Sequence, residues 1–175
     1  MTKLLGISGS LRRESTNTKL LREAARLFAP DEFRLADLNL PLFNEDLEAG
    51  GQPAAVAALC DEILWADALV ISTPEYNKAF PGVLKNAFDW VSRPNPMPTK
   101  GKPCAFLSAA AGMAGGQRAK SALYLTMLPF GMRIVFDPEV NLGGAGGKFD
   151  DAGRLTDPMA EKFLGQLMGN LKAAI

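Results

Sequence analysis

The segment Leu4–Lys19 has the sequence LLGISGSLRRESTNTK, in which three local patterns follow one another. Lys3–Ile7 is a short apolar run, long enough for one buried strand. Ser8–Ser15 is rich in hydroxyl groups and glycine and carries two arginines, and from Thr16 onwards the apolar residues have helical spacing. A strand that turns directly into a helix leaves free backbone N–H groups at the helix start. Those groups and the helix dipole favour a bound anion.

Side chains of this turn can add donors and positive charge to a phosphate site. They are Ser8, Ser10, Arg12, Ser15, Thr16 and Asn17. A simpler interpretation is that Ser15 or Thr16 only caps the helix and Gly9 only forms a turn. The turn alone leaves both interpretations open. It does not match a dinucleotide fingerprint, because Gly6 and Gly9 are spaced wrongly. It does not match a nucleophile elbow either, because Ser10 stands where the second glycine belongs.

The composition narrows the classes of protein. The chain has 175 residues, of which 19 are basic and 19 acidic, and it has no histidine. The lack of histidine excludes a Ser-His-Asp hydrolase and a histidine-ligated metal, and we predict no metal site. The balanced charge argues against a nucleic-acid or membrane-surface binder. No apolar run is long enough to span a membrane, and the N-terminus has no signal-peptide pattern.

Length and cysteine usage predict the organisation of the chain. The length predicts one domain that covers residues 1–175. Cys60 and Cys104 are far apart in the sequence and lie in apolar surroundings. Buried free thiols are therefore expected rather than a disulfide, which indicates a cytoplasmic protein.

Apolar spacing and turn residues predict the remaining elements. Strands are expected at residues 3–7, 32–37, 67–73, 103–108 and 133–136, and helices at 16–29, 54–65, 117–128 and 157–173. A further helix begins at Pro81 or Gly82. Residues 38–53 are predicted as a long loop, and the glycine-rich residues 141–153 as a flexible connection. Gly143–Lys148 only superficially resembles a phosphate loop, because its glycine spacing and flanking elements do not match one.

Two further loops follow apolar strands. Pro74–Phe80 is polar and aromatic, and the backbone N–H groups of Glu75, Tyr76 and Asn77 are expected to be available to a planar heterocycle. A structured loop with a half-buried Tyr76 explains this stretch equally well. Ala109–Gly116 consists mostly of small residues, so its backbone can approach a ligand closely.

The alternation of five strands with five predicted helices indicates a parallel sheet between two helical layers. With five strands and no sixth, the flavodoxin-like strand order 2-1-3-4-5 is expected, in a three-layer, doubly wound α/β fold. In this order strands 1 and 3 flank the switch point, and strand 4 lies beside strand 3. The three loops therefore converge on one crevice at the carboxyl edge of the sheet.

Paired motifs occur in the order and at the separation typical of a known family. Gly6–Arg12, with Ser15 and Asn17, is followed by Pro74–Asn77 and then by Pro81–Trp90. With these motifs the chain closely resembles the NAD(P)H-dependent FMN reductases, a family that includes quinone, chromate and azo-dye reductases. The resemblance covers nearly the whole chain. It implies FMN as the cofactor and NADPH or NADH as the electron donor.

The resemblance also implies a set of FMN contacts. The phosphate would bind the first loop, the isoalloxazine ring would lie against the second, and the third would border the ring. The implied residues are Ser8, Ser10, Leu11, Arg12, Ser15, Thr16 and Asn17, then Pro74, Glu75, Tyr76 and Asn77, and finally Ser108, Gly112 and Gly115. A homodimer or homotetramer is implied as well. Lys78–Phe80, Ala110 and Ala111 depart from the family pattern, which leaves the substrate open.

A flavin accounts for an active-site crevice without histidine or a nucleophile triad, because the cofactor supplies the chemistry. The expected cycle passes a hydride from NAD(P)H to the flavin and then two electrons to a quinone, free flavin, chromate or azo-type acceptor. Backbone N–H groups near Glu75–Asn77 would stabilise negative charge on the reduced ring. No catalytic side chain is assigned, and Tyr76 is the one candidate proton donor. Two alternatives are a flavodoxin-type electron carrier without a nicotinamide site and an interaction module without a redox role.

Overall fold

A computed structural model describes all of residues 1–175 and contains one parallel sheet of five strands. The strands are β1 (Lys3–Ser8), β2 (Glu32–Leu35), β3 (Ala68–Thr73), β4 (Pro103–Ala109) and β5 (Arg133–Leu142). Their order across the sheet is β2-β1-β3-β4-β5, and all four pairings are parallel. This arrangement confirms the flavodoxin-like topology expected from the sequence.

Helices cover both faces of the sheet. They are α1 (Thr16–Phe28), α2 (Glu45–Ala49), α3 (Ala54–Trp65), α4 (Gly82–Val91), α5 (Gln117–Met127) and α6 (Pro158–Ala173). α1 and α6 pack around a core of 19 buried residues, while α3, α4 and α5 pack around one of 20, so the two faces are covered equally. Along β1, Leu4 enters one core and Leu5 the other. Burial on both faces explains the continuous apolar runs of the central strands. None of the helices has the length and apolar character needed to cross a membrane.

The edge strand β5 is longer than the sequence pattern indicates. The prediction that it ends at Phe136 is wrong, because the strand continues beyond Pro138 to Leu142. Its register with β4 shifts between Ala105 and Leu107. An edge strand tolerates a proline because one side of its backbone needs no partner. The extension brings the end of β5 to the sheet edge where the predicted crevice lies.

Residues 141–153, predicted as a flexible connection, contain regular structure. The segment begins as the last part of β5, continues as a 3-10 helix at Ala145–Gly147, and ends in a turn closed by a bridge between Phe149 and Leu155. The Leu155 N–H donates to the carboxylate of Glu23 on α1 at 3.2 Å. This bond ties the turn to the helical layer.

The predicted loop over residues 38–53 contains the short helix α2. The Asn44 side chain caps it by accepting from the Asp46 N–H at 2.9 Å, and Glu48 forms an ion pair with Arg93 at 2.8 Å. None of the residues of α2 is buried, so the apolar spacing that reveals a packed helix is missing here. Both cysteines are buried free thiols, as predicted.

Candidate active site

The carboxyl ends of β1, β3 and β4 lie side by side, with Ser8 opposite Ser72 and Thr73 opposite Ser108. A cleft of about 300 Å³ opens at this edge of the sheet. It is lined by Ser10, Arg12, Ser15, Thr16, Asn17, Pro74, Glu75, Tyr76, Ala109, Ala110, Ala111, Ala145 and Gly146. The three loops predicted to converge therefore meet in one cleft, and the turn after β5 joins them.

The start of α1 offers free donors to this cleft. Ser15 caps the helix, because its hydroxyl accepts from the Thr18 N–H at 3.3 Å and its carbonyl from the Lys19 N–H at 3.0 Å. The N–H groups of Thr16 and Asn17 have no acceptor in the protein. Capping by Ser15 is thus confirmed, and two donors remain at the helix start, where an anion is favoured.

Arg12 is a free cation at the cleft. Its guanidinium forms no ion pair and no hydrogen bond within the protein, and the side chain is exposed. The nearby Lys19 is paired with Glu14 at 3.0 Å, and its hydrogen bond and charge lower the pKa of the Glu14 carboxyl. A free guanidinium beside free N–H groups can bind the oxygens of a phosphate.

Asn17 joins three elements through a buried side chain. Its Nδ2 donates to the Ala109 carbonyl at 2.9 Å. Its Oδ1 accepts from the Ser72 hydroxyl at 2.8 Å and from the Ala109 N–H at 3.1 Å. The side chain therefore fixes the start of α1 to the ends of β3 and β4. The backbone N–H is the group that Asn17 leaves free for a ligand.

The second loop is a tight hairpin. The Tyr76 N–H donates to the Ala79 carbonyl at 3.0 Å, and the Ala79 N–H returns a bond at 3.1 Å. Asn77 and Lys78 between them have φ of 52° and 67°, as in a type I′ turn. The prediction that the Tyr76 N–H is available to a heterocycle is wrong, because the hairpin uses this donor. The N–H groups of Glu75 and Asn77 have no acceptor, and the Tyr76 side chain is 48% exposed.

The Glu75 carboxylate is directed to the start of α5 rather than to a ligand. It accepts from the Ala119 N–H at 3.3 Å and lies 3.8 Å from the Arg118 guanidinium. A carboxylate at this point satisfies a free donor of the helix and complements the helix dipole. Glu75 therefore fixes the second loop to α5.

The end of β5 sets the position of the third loop. Ser108 is fully buried, and its hydroxyl donates to Asn141 Oδ1 at 2.9 Å. Asn141 Nδ2 in turn donates to Glu139 at 3.1 Å. A Cβ on Gly115 would lie 2.6 Å from the carbonyl carbon of Asn141, so the two backbones touch. Loop and strand end form one packed unit.

A buried lysine adjoins this network. Lys120 is 1% exposed, and its Nζ lies 3.2 Å from Glu139 Oε2 without forming a hydrogen bond. Burial lowers the pKa of Lys120, and the Glu139 carboxylate partly offsets this effect. Burial of a cation carries a desolvation penalty, which a single ion-pair contact offsets only in part.

A wider groove of about 830 Å³ runs along α1 but offers mainly paired charges. The Glu23 carboxylate is buried there and accepts from Arg26 at 2.9 Å, while Arg154 lies 3.4 Å away. Burial raises the pKa of Glu23, but the hydrogen bonds from Arg26 and Leu155 and the two guanidinium charges outweigh it, so the pKa is lowered. The smaller cleft holds the free groups and is the candidate active site.

Eight of the predicted contact residues line the cleft: Ser10, Arg12, Ser15, Thr16, Asn17, Pro74, Glu75 and Tyr76. The other six do not line it, namely Ser8, Leu11, Asn77, Ser108, Gly112 and Gly115. The Ser8 hydroxyl lies 2.9 Å from the Thr18 hydroxyl, and the Leu11 side chain is 58% exposed. Cofactor contacts of all fourteen residues stay a prediction. Ala145 and Gly146 are not among the predicted residues, because the predicted strand ends at Phe136 and not at Leu142.

An open parallel sheet with free anion donors at its switch point is typical of mononucleotide-binding proteins. The family model of the NADPH-dependent FMN reductases matches residues 2–147. An NAD(P)H-dependent FMN reductase of Pseudomonas aeruginosa is 45% identical over 172 residues, which cover 97% of this chain and 93% of that protein. A quinone reductase of Pseudomonas putida is 40% identical over 165 residues, or 90% and 88% of the two chains. The solved structure of FerB, a flavoenzyme NAD(P)H:(acceptor) oxidoreductase from Paracoccus denitrificans, superposes with a TM-score of 0.89 at 32% identity, covering 99% of this chain and 96% of that one.

The chain therefore belongs to the NADPH-dependent FMN reductase family, as its motifs indicate. It is an FMN-dependent oxidoreductase that takes electrons from NAD(P)H. The donor set of the cleft fits this cofactor. Two free N–H groups and the Arg12 guanidinium suit a phosphate, and Pro74 with the Tyr76 ring offers a surface against which a planar ring can pack.

Proposed function

We propose that this oxidoreductase transfers two electrons to quinones, with FMN bound in the cleft between the loops after β1, β3 and β4. One observation carries the proposal: free phosphate donors and an exposed aromatic wall share a single cleft. The quinone reductase of Pseudomonas putida, with 40% identity over 90% of the chain, supports this acceptor class. Free flavin, chromate and azo-type compounds are further acceptors of the same proposal.

The first loop is proposed to hold the FMN phosphate. The N–H groups of Thr16 and Asn17 and the guanidinium of Arg12 would donate to its oxygens, with the hydroxyl of Ser10 beside them. All four residues line the cleft. The charge of the ligand would complement the positive end of the α1 dipole.

The second and third loops are proposed to border the flavin ring. Pro74 and the Tyr76 ring would pack against it from one side, and Ala109–Ala111 would approach it with backbone from another. The N–H groups of Glu75 and Asn77 are two donors on the second loop without an acceptor in the protein. Donors of this kind stabilise negative charge that develops on a bound ring.

FMN, when bound, would supply the redox chemistry of hydride uptake from NAD(P)H and two-electron transfer to the acceptor. The chain contributes position and electrostatics, since it has no histidine and its two cysteines are buried. The exposed Tyr76 borders an open part of the cleft. The nicotinamide and the quinone would bind at this opening one after the other, because a single cleft exposes only one face of the flavin ring.

Steady-state kinetics of the FMN-loaded enzyme with NADPH and a benzoquinone test the proposal. Alternating use of one site predicts parallel lines in double-reciprocal plots. Intersecting lines would show that donor and acceptor bind together and would contradict the shared opening. Quinone turnover no faster than that of a protein-free mixture of FMN and NADPH would overturn the quinone assignment.

Two variants separate the roles of Tyr76. Tyr76→Phe keeps the ring and removes the hydroxyl, so we expect kcat to stay close to the parent value. Tyr76→Ala removes the ring, so we expect weaker FMN binding and slower turnover. If Tyr76→Phe already causes a large loss of kcat, the hydroxyl acts as a proton donor.

We also propose that the chain forms a homodimer or homotetramer in the cytoplasm. Three large apolar side chains near the edge strand are exposed: Leu125 at 72%, Leu128 at 69% and Phe136 at 57%. A second copy would cover them, and the two free thiols fit a reducing compartment. Light scattering should give at least twice the monomer mass, and Phe136→Asp should lower it. A monomer at micromolar concentration would contradict the assembly.

A further inference from the structure

The turn after β5 forms part of the cleft, although the sequence motif there does not match a phosphate loop. Ala145 and Gly146 line the cleft. The turn is held in place by the Ala145 N–H, which donates to the Ala110 carbonyl at 3.1 Å. The adjacent Ala109 is bonded on both its N–H and its carbonyl to the Asn17 side chain. This chain of hydrogen bonds connects the turn to the start of α1.

The backbone conformation and the packing of the turn demand glycine at some of its positions but not at others. A Cβ on Gly143 would lie 2.3 Å from the Met113 carbonyl oxygen, and Gly144 has a φ of 59°. The fold therefore requires glycine at position 143, and the backbone conformation at position 144 favours it. Gly146 and Gly147 have ordinary φ, and a Cβ on either would meet no atom within 4 Å. The fold alone would accept a side chain at these two positions.

Gly146 has a free backbone donor as well as free space. Its N–H has no acceptor in the protein, whereas the Gly147 N–H donates to the Gly144 carbonyl at 3.2 Å. Gly146 lines the cleft and Gly147 does not. Gly147 is therefore a matched control for Gly146, because only Gly146 lines the cleft.

We propose that Gly146 is an FMN-binding residue, a role that rests on the proposed placement of FMN in this cleft. Its N–H donates to an oxygen of the phosphate or of the ribityl chain, and its missing side chain leaves room for that part of the cofactor. The hydrogen bonds from Asn17 through Ala109 and Ala110 to Ala145 place the turn beside the α1 start, where the phosphate donors lie. The turn after β5 is then a fourth cofactor loop.

Gly146→Val and Gly147→Val test the assignment. FMN is titrated into each apoprotein and its fluorescence quenching is followed, with urea unfolding of the same apoproteins as the check on folding. We expect Gly146→Val to weaken FMN binding by about tenfold or more, since overpacking a filled site costs that much. Gly147→Val should bind FMN within about twofold of the parent. Both apoproteins should unfold at similar urea concentrations, because a Cβ at either position meets no protein atom within 4 Å.

Riboflavin identifies the part of the cofactor that Gly146 touches. A loss with FMN but not with riboflavin assigns the contact to the phosphate, and an equal loss with both assigns it to the ribityl chain. Parent-like FMN binding by Gly146→Val, or an equal loss in Gly147→Val, would overturn the role of Gly146. Failure of the parent apoprotein to bind FMN would instead refute the proposed cofactor placement itself. If Gly146→Val does not fold, Gly146→Ala makes the same test with a smaller group.

Discussion

Replacing Asn17 with alanine removes three hydrogen bonds from the buried junction of α1, β3 and β4. The Ser72 hydroxyl and both backbone groups of Ala109 lose their bonds to this side chain, and neither residue is more than 1% exposed. A net contribution of about 1 kcal/mol for each bond gives a loss of about 3 kcal/mol in the free energy of unfolding. Urea unfolding of the apoprotein measures this loss directly.

Ser72→Ala is the matched control for this prediction. It removes one bond and leaves the other two, so we expect a loss of about 1 kcal/mol. The double variant should lose less than the sum of the single losses, because the orphaned hydroxyl is removed together with its partner. Ordinary surface substitutions change the free energy of unfolding by up to about 0.5 kcal/mol. A loss within this range for Asn17→Ala would refute the claim that its side chain stabilises the junction of α1, β3 and β4.

Three further predictions concern charged groups. Arg12→Ala should weaken FMN binding by about tenfold or more and leave riboflavin binding unchanged; equal effects on both ligands in a titration would exclude a phosphate contact. The lowered pKa of Glu23 means that the carboxylate stabilises the fold above the ordinary value of 4.5 and that this stability is lost as the pH falls through the folded pKa. The difference in unfolding free energy between parent and Glu23→Gln should therefore shrink only below about pH 4.5, and a constant difference would be inconsistent with this linkage. Lys120→Met should raise the unfolding free energy by about 1 kcal/mol, because it removes the desolvation penalty of a buried cation and leaves the Glu139 carboxylate half-exposed to water; a destabilised variant in the same urea assay would show that the Glu139 pair is favourable.

The sequence predicts the sheet and the location of the site because both depend on local patterns. The continuous apolar runs of β1, β3 and β4 identify strands that are covered on both faces. Topology then brings their carboxyl ends together, so the loops at Ser8–Asn17 and Pro74–Phe80 are recognised before any distance is known.

The parts that sequence analysis misses depend on tertiary contacts. The polar side chain of Asn17 suggests a ligand contact, yet its partners are Ser72 and Ala109, far away in the sequence. The Tyr76 N–H is used by a hairpin whose two central residues are Asn77 and Lys78, without the glycine that usually signals such a turn. Neither the partners of the Asn17 side chain nor the hairpin bond of Tyr76 can be recognised from a local sequence pattern.

The error at β5 has the largest functional consequence. Pro138 interrupts the strand pattern, so the loop that follows the strand is assigned to the wrong residues. Once β5 extends to Leu142, Ala145 and Gly146 fall at the carboxyl edge of the sheet and inside the cleft. The same rule that identifies the other three loops would then identify this one.

Anaerobic absorption spectroscopy of the purified protein, loaded with FMN and mixed with NADPH, tests the central claim most directly. FMN bound in this cleft, with Tyr76 bordering its open side, should be reduced by NADPH. Its visible absorption should then disappear after NADPH is added, within the time that a few catalytic turnovers take. Bound flavin that neither NADPH nor NADH bleaches would contradict the oxidoreductase account and favour an electron carrier. Failure to retain FMN at all would contradict the assignment of the free donors of Arg12, Thr16 and Asn17 to its phosphate.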